Sequence, residues 1–203
     1  MLQLIVQWLE WIAAILSAVS VYLSARENIW SWPTAIVSVA MYAFIFVETG
    51  LYSDAGLQVF FFLISVYGWY EWLHGGENRT RLHVSRATAK VWTVSAAFGV
   101  LFWLGLGLLT SRLRGVSLPF LDSALATLSI VAQIMMTRKI LENWILWIIA
   151  DLVYVPMYVY KGLYPTALLY AVFLILAVIG LVEWRRSLAR DRTGAPHPAP
   201  TPA

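Results

Sequence analysis

The stretch ENWILWIIADLVYVPMYVYKGLY, Glu142 to Tyr164, decides how this chain is to be read. A helix needs about 20 apolar residues to cross a bilayer core of about 30 Å, and this run is long enough. Yet Asp151 stands near its middle. A carboxylate at that depth costs about 2.5 to 3.5 kcal/mol on insertion scales, so it must face a polar cavity or a partner rather than lipid. Trp144, Trp147, Asp151, Tyr154 and Tyr158 follow one another at spacings of 3, 4, 3 and 4, which puts them on one helical stripe. A Trp one turn before a carboxylate and a Tyr one turn after it make a place where a flat organic cation stacks while its charge is compensated. The competing reading is structural, since the chain holds 11 Trp and 10 Tyr and most aromatics in membrane helices pack or form interfacial belts. Trp30, Trp69, Trp72 and Trp184, near span ends, read as belt residues.

The rest of the chain agrees with a membrane protein. Of its 203 residues 61% are hydrophobic and 12% charged, and the mean hydropathy is +0.73. Cysteine is absent, and His74, His83 and His197 lie in polar loop or tail. Neither a thiolate nor an imidazole centre is therefore expected in the membrane, and no metal or cofactor is predicted. The acids embedded in spans are too few and too scattered for a catalytic pair, which argues against an intramembrane enzyme.

Seven spans are predicted, at about 4–23, 29–47, 54–73, 91–110, 120–136, 141–160 and 165–184. The first lacks the basic flank and cleavage pattern of a signal peptide and is expected to remain. Connections after spans one, three, five and seven hold 11 of the 14 basic residues, against Arg112, Arg114 and Lys161 on the other side. The positive-inside rule then puts the amino terminus outside and the carboxyl terminus in the cytoplasm. The net charge of +3 is accounted for by this asymmetry, so no nucleic-acid partner is inferred. The Pro- and Ala-rich end, with 185–203 as a whole, is predicted to be a disordered cytoplasmic tail.

Sliding the chain against itself by 112 residues pairs 25–72 with 137–184, and 15 of those 48 positions are identical. The matches include Arg26 with Arg138, Trp32 with Trp144, Tyr42 with Tyr154, Gly50–Tyr52 with Gly162–Tyr164, Gly68 with Gly180, and Glu71–Trp72 with Glu183–Trp184. Glu10 also pairs with Asp122, and Ser17 with Ser129. The prediction is a repeat at 1–73, a basic loop and linker helix at 74–119, and a second repeat at 120–184. Because four crossings separate equivalent helices, the copies are parallel, an arrangement that transporters use with a central site between repeats. Asp151 matches Val39, so the three-helix unit folds without a carboxylate there. Gln58 matches Tyr170, two different hydrogen-bonding residues at one structural place. Pro33 and Pro156 are expected hinges, and Gly99, Gly105 and Gly107 close-packing positions.

Three stretches carry a family resemblance: LYSDAGLQVFFFLISVYGWYEW (51–72), LDSALATLSIVAQIMMTRKILENWILWII (121–149) and YKGLYPTALLY (160–170). They closely resemble the bacterial PnuC vitamin transporters, best known for nicotinamide riboside uptake. The resemblance implies a seven-helix 3+1+3 all-α carrier with SWEET-like architecture in the inner membrane. It implies facilitated diffusion, with the vitamin trapped by cytoplasmic phosphorylation. In that family the third and sixth helices line the site, which points here to Gln58, Asn143, Trp144 and Trp147. Members of the nicotinamide riboside type tend to have Asn where this chain has Asp151, and the surrounding stretch is similar to a branch associated with thiamine. The expected site therefore comprises Gln58, Asn143, Trp144, Trp147, Asp151, Tyr154 and Tyr170. Asp151 would compensate a ring cation, Trp147 and Tyr154 would stack, and Gln58 and Asn143 would bind hydroxyl or amide groups. The expected partners are the vitamin, nicotinamide riboside or alternatively thiamine, and the bilayer, with homo-oligomerisation left open. A non-transporting membrane receptor is the remote alternative.

Overall fold

The computed structural model describes residues 2–48, 52–112, 119–160, 162 and 164–193, with side chains for 8–48, 55–112, 119–160, 162 and 164–191. Gly50, Leu51, Arg114, Lys161, Leu163 and 194–203 lie outside the described residues. Seven long helices run in chain order: α1 (Leu2–Ala25), α2 (Ser31–Glu48), α3 (Tyr52–His74), α4 (Ala89–Thr110), α5 (Pro119–Thr137), α6 (Asn143–Tyr160) and α7 (Tyr164–Thr193). All but α3 contain a window long and apolar enough to cross a membrane. α3 has the length, but its polar Ser, Asp, Gln and Glu residues and its Tyr and Trp side chains lower its mean hydropathy.

The helices form two triplets, α1–α3 and α5–α7, with α4 packed on α5. Between triplets, α1 meets α7 and α3 meets α5. The contacts recur with the sequence offset. The face of Trp32 fills the space over Gly68, and Trp144 fills the space over Gly180, leaving no room for a Cβ at either glycine. Trp32 meets Trp72 edge-on at 5.3 Å between centroids, and Trp144 meets Trp184 in the same way at 5.4 Å. Across the triplets, the Trp72 indole donates to the Met136 carbonyl at 3.0 Å and the Trp184 indole to the Ser24 carbonyl at 3.0 Å. Arg26 pairs with Glu183 at 3.8 Å and Arg138 with Glu71 at 3.4 Å. Residue i touching j while the counterpart of j touches the counterpart of i is what an approximate two-fold axis produces.

The short connections explain why the triplets match. α1 and α5 each close with a residue in the left-handed region, Glu27 (φ 53°) and Lys139 (φ 49°). Around them Asn28 N donates to Leu23 O and Glu27 N to Ser24 O, while Ile140 N donates to Met135 O and Lys139 N to Met136 O. This is the paired hydrogen-bonding of a Schellman cap, where glycine normally occupies the left-handed position.

Trp72 and Trp184 are not belt residues: both are fully buried and lie 5.9 Å apart at the centre of the main core. Trp30 and Trp69 remain exposed, as expected. Nor is 185–193 a disordered tail, for α7 continues to Thr193, burying Ser187 and packing Leu188 on the core. The charged run stays helical because one face still has apolar surface to cover. Of the α4 glycines, Gly107 is buried against Phe120, whereas Gly105 faces open space.

Candidate functional site

Asp151 lies at the middle of α6, about 12 Å along the axis from its first residue, and is 2% exposed. Among the described residues none donates a hydrogen bond to its carboxylate or pairs with it. No span carries a Lys or Arg that could reach it at that depth.

Beside it stands an aromatic group. Tyr154 and Tyr158, one turn apart, stack with centroids 5.8 Å apart. Tyr170 of α7 lies 4.7 Å from Tyr154 and 5.0 Å from Tyr158, and Phe173 closes on Tyr170 edge-on at 5.7 Å. Tyr154 has Ser129 of α5, Tyr158 and Asp151 among its polar neighbours, and Tyr170 has Tyr158, Tyr154 and Asp151. The spacing 151, 154, 158 thus becomes a real surface, completed by a tyrosine from the next helix. Tyr158 lies on the predicted stripe but was not among the expected site residues. Phe173, one turn from Tyr170, has no polar atom to draw attention to it.

The expected residues at the start of α6 form a second group. Asn143 is fully buried, and its amide nitrogen donates to the Ile140 carbonyl at 2.6 Å instead of its oxygen capping the helix. Trp144 is 1% exposed and held between Gly180 and Trp184. Asn143 Oδ1 and Trp144 Nε1 have no hydrogen-bond partner among the described residues, and the same is true of Ser31 Oγ and Trp32 Nε1 at the matching positions of the first triplet. Trp147, half-buried, packs against both core clusters and links the two groups. Gln58 is half-buried on α3, and no described contact joins it to Asp151. Its counterpart Tyr170 packs on Tyr154 and Tyr158, which follow Asp151 on α6. No cluster of His, Cys, Asp or Glu able to hold a metal occurs among the described residues. Two shallow apolar grooves, one along Phe98, Leu101 and Phe102 of α4 and one along Leu9, Ile36 and Met41, lie on outer faces away from these groups.

A multi-pass bundle of apolar helices with an unpaired carboxylate and polar aromatics at mid-depth has the organisation of a membrane transporter. Comparison with known proteins makes the class specific. The family described as nicotinamide mononucleotide transporter matches residues 7–186, and the chain belongs to it. The nicotinamide riboside transporter PnuC of Escherichia coli is 30% identical over 91% of this chain and 87% of its own length. The riboflavin/roseoflavin transporter RibM of Streptomyces davaonensis is 27% identical over the same shares, 91% and 87%. A crystal structure of the vitamin B3 transporter PnuC superposes with a TM-score of 0.71 at 24% identity, covering 90% of this chain and 83% of that one.

Proposed function

We propose that the protein admits a positively charged vitamin nucleoside, nicotinamide riboside, through the bacterial cytoplasmic membrane by facilitated diffusion, without a chemical step of its own. The observation that carries this reading is Asp151, buried at mid-membrane without a cationic partner and flanked by Tyr154, Tyr158 and Tyr170. A pyridinium ring supplies the missing charge, and its flat face suits the tyrosines. A nucleotide is disfavoured on the same ground. Its phosphate would need a basic side chain, none stands within the seven apolar stretches predicted from the sequence, and Asp151 would repel it. Asn143 Oδ1 and Trp144 Nε1, buried and unpaired, supply the hydrogen-bonding capacity a ribose requires as it passes toward the basic end. That end is the cytoplasmic one by the charge asymmetry, and rocking of the two triplets about their common axis, as in SWEET-like carriers, would expose the site alternately. Phosphorylation in the cytoplasm would make entry one-way.

Thiamine is the second reading, favoured by Asp151 itself, since a thiazolium cation satisfies it equally. Riboflavin, which the RibM relative is named for, is neutral and leaves the carboxylate unexplained. The deciding experiment titrates purified protein with nicotinamide riboside, its 5′-phosphate, thiamine and riboflavin, followed by tryptophan fluorescence. Vesicles without ATP then show whether the bound vitamin equilibrates. Nicotinamide riboside should bind tightest and equilibrate without accumulating. Tightest binding of the phosphate would overturn the charge argument, and tightest binding of thiamine would select the second reading.

A further inference from the structure

Resting on that carrier reading, we propose that residues 80–88, between α3 and α4, form a strap that latches the two triplets together at the cytoplasmic end, and that the end opens when the strap leaves the first triplet while staying on the second.

The strap is bonded to both sides of the axis. Toward the second triplet, Ser85 N donates to Lys139 O at 3.0 Å and Leu141 N to Ser85 O at 2.9 Å, forming an isolated parallel bridge between Ser85 and Ile140. Ala87 N donates to Glu142 Oε2 at 2.8 Å. Toward the first triplet, Leu82 N donates to Trp72 O at 3.2 Å, and the exposed Arg81 guanidinium reaches Glu27 O at 3.3 Å. His83 lies 3.3 Å from Asp191 on the extension of α7. Between these anchors Val84 is 4% exposed and enters the core cluster of Trp32, Trp72, Trp144 and Trp184. Trp32 and Trp144 stand at the start of α2 and α6, Trp72 near the end of α3 and Trp184 at the matching place in α7, so the strap plugs the bundle where these helix segments converge.

The two sets of anchors differ in strength. The second-triplet side has three bonds of 2.8 to 3.0 Å, one of them to a carboxylate and so charge-assisted. The first-triplet side has two longer bonds, one of them from an exposed arginine side chain, and an exposed side-chain bond competes with water. Motion of one triplet against the other must break one set, and the weaker set yields. The left-handed Glu27 and Lys139, paired with each other, carry the carbonyls that Arg81 and Ser85 bond, so the plug and the axial pair part in the same movement.

The chain has no cysteine, which gives a clean test in the full-length protein. One variant, Leu73→Cys/Leu82→Cys, ties the strap to the first triplet through a short reversible thiol cross-linker. The other, Ser85→Cys/Ile140→Cys, ties it to the second by a disulfide. The first link should slow vitamin uptake roughly tenfold or more, reversed by reductant, as for a trapped lid, while the second link should leave uptake within about twofold of the reduced protein. Uptake unchanged by the first link, or abolished by the second, overturns the strap. Reduced proteins that carry no vitamin at all would count against the carrier reading instead. In that event Ser31→Cys, next to Trp32 of the cluster that Val84 enters and 1% exposed, decides: a soluble thiol reagent should reach it less after the first link than before, and equal labelling overturns the proposal.

Discussion

The Lys139 ammonium lies 2.8 Å from the Glu27 carboxylate, and the two residues stand 112 positions apart at the same place in their triplets. Lys139 is 1% exposed and also lies over the Trp72 ring at 4.5 Å. The pair therefore sits on the axis that relates the triplets, with opposite charges where identical residues would repel. Both residues occupy a backbone region that costs a side chain about 1 to 2 kcal/mol, so placement of these charges is favoured over local ease.

That competition predicts the outcome of glycine substitutions. Glycine relieves the left-handed strain but leaves its partner's charge alone, and orphaning a buried charge costs about 3 to 5 kcal/mol. Glu27→Gly and Lys139→Gly should each lower stability, Glu27→Gly more, because Lys139 is the deeper charge. The double variant should recover most of the loss. Thermal unfolding in detergent measures the cycle, and a double variant as unstable as the sum of the singles would contradict it.

The same lysine sets a pH dependence. Burial pushes its ammonium below the ordinary lysine range, with Glu27 pulling it back up, Arg81 lowering it and Asp191 raising it. The folded chain thus sheds this proton before the unfolded chain does. The cost of the buried ammonium is complete below the depressed value and fades as pH climbs toward the ordinary value of about 10.4, so this group adds stability with rising alkalinity. Lys139→Met should flatten that part of the curve of unfolding temperature against pH. Parallel curves for the two proteins would refute the assignment.

Asp151→Asn should weaken binding of a cationic vitamin by about 1.5 to 3 kcal/mol, the usual worth of a charge-assisted hydrogen bond, or roughly ten- to hundredfold. Binding of a neutral vitamin should change little. Isothermal titration in matched detergent distinguishes the two, and equal losses for cationic and neutral ligands would remove charge compensation from the mechanism.

Gly68→Ala and Gly180→Ala should be equivalent lesions. A Cβ would stand 2.3 Å from Trp32 at the first and 2.5 Å from Trp144 at the second, and overpacking of this kind costs about 1 to 3 kcal/mol. Trp72→Phe and Trp184→Phe should likewise match each other, each losing an indole bond worth about 1 kcal/mol. Unfolding temperatures of the four variants check both pairs, and a large inequality within either pair would show that the two halves do not share the stress.

Helix number and place, the offset of 112 residues and the Asp151 stripe are legible without coordinates. Each is written in a periodicity or a self-match, because a bilayer demands long apolar helices and the stripe follows from 3.6 residues per turn. The exchange of Trp72 and Trp184 across the axis is not legible, since a tryptophan at a span end looks the same in a lipid belt and in a core. Nor is the helical course of 185–193, where charge suggests solvent and only Leu188 and Ser187 meeting the core say otherwise. The separation of Asn143 and Trp144 from Asp151 is also tertiary, for one helical stripe can serve two depths against different neighbours.

The sequence by itself determined the class, the repeat and the buried carboxylate, since composition and periodicity answer to the membrane and to the helix alone. What only the tertiary structure decided is which residues meet across the axis: Glu27 with Lys139, Trp72 with Met136, Trp184 with Ser24. Contacts across an axis depend on how two bodies dock, and docking is fixed by summed packing over whole faces rather than by any local signal in the chain.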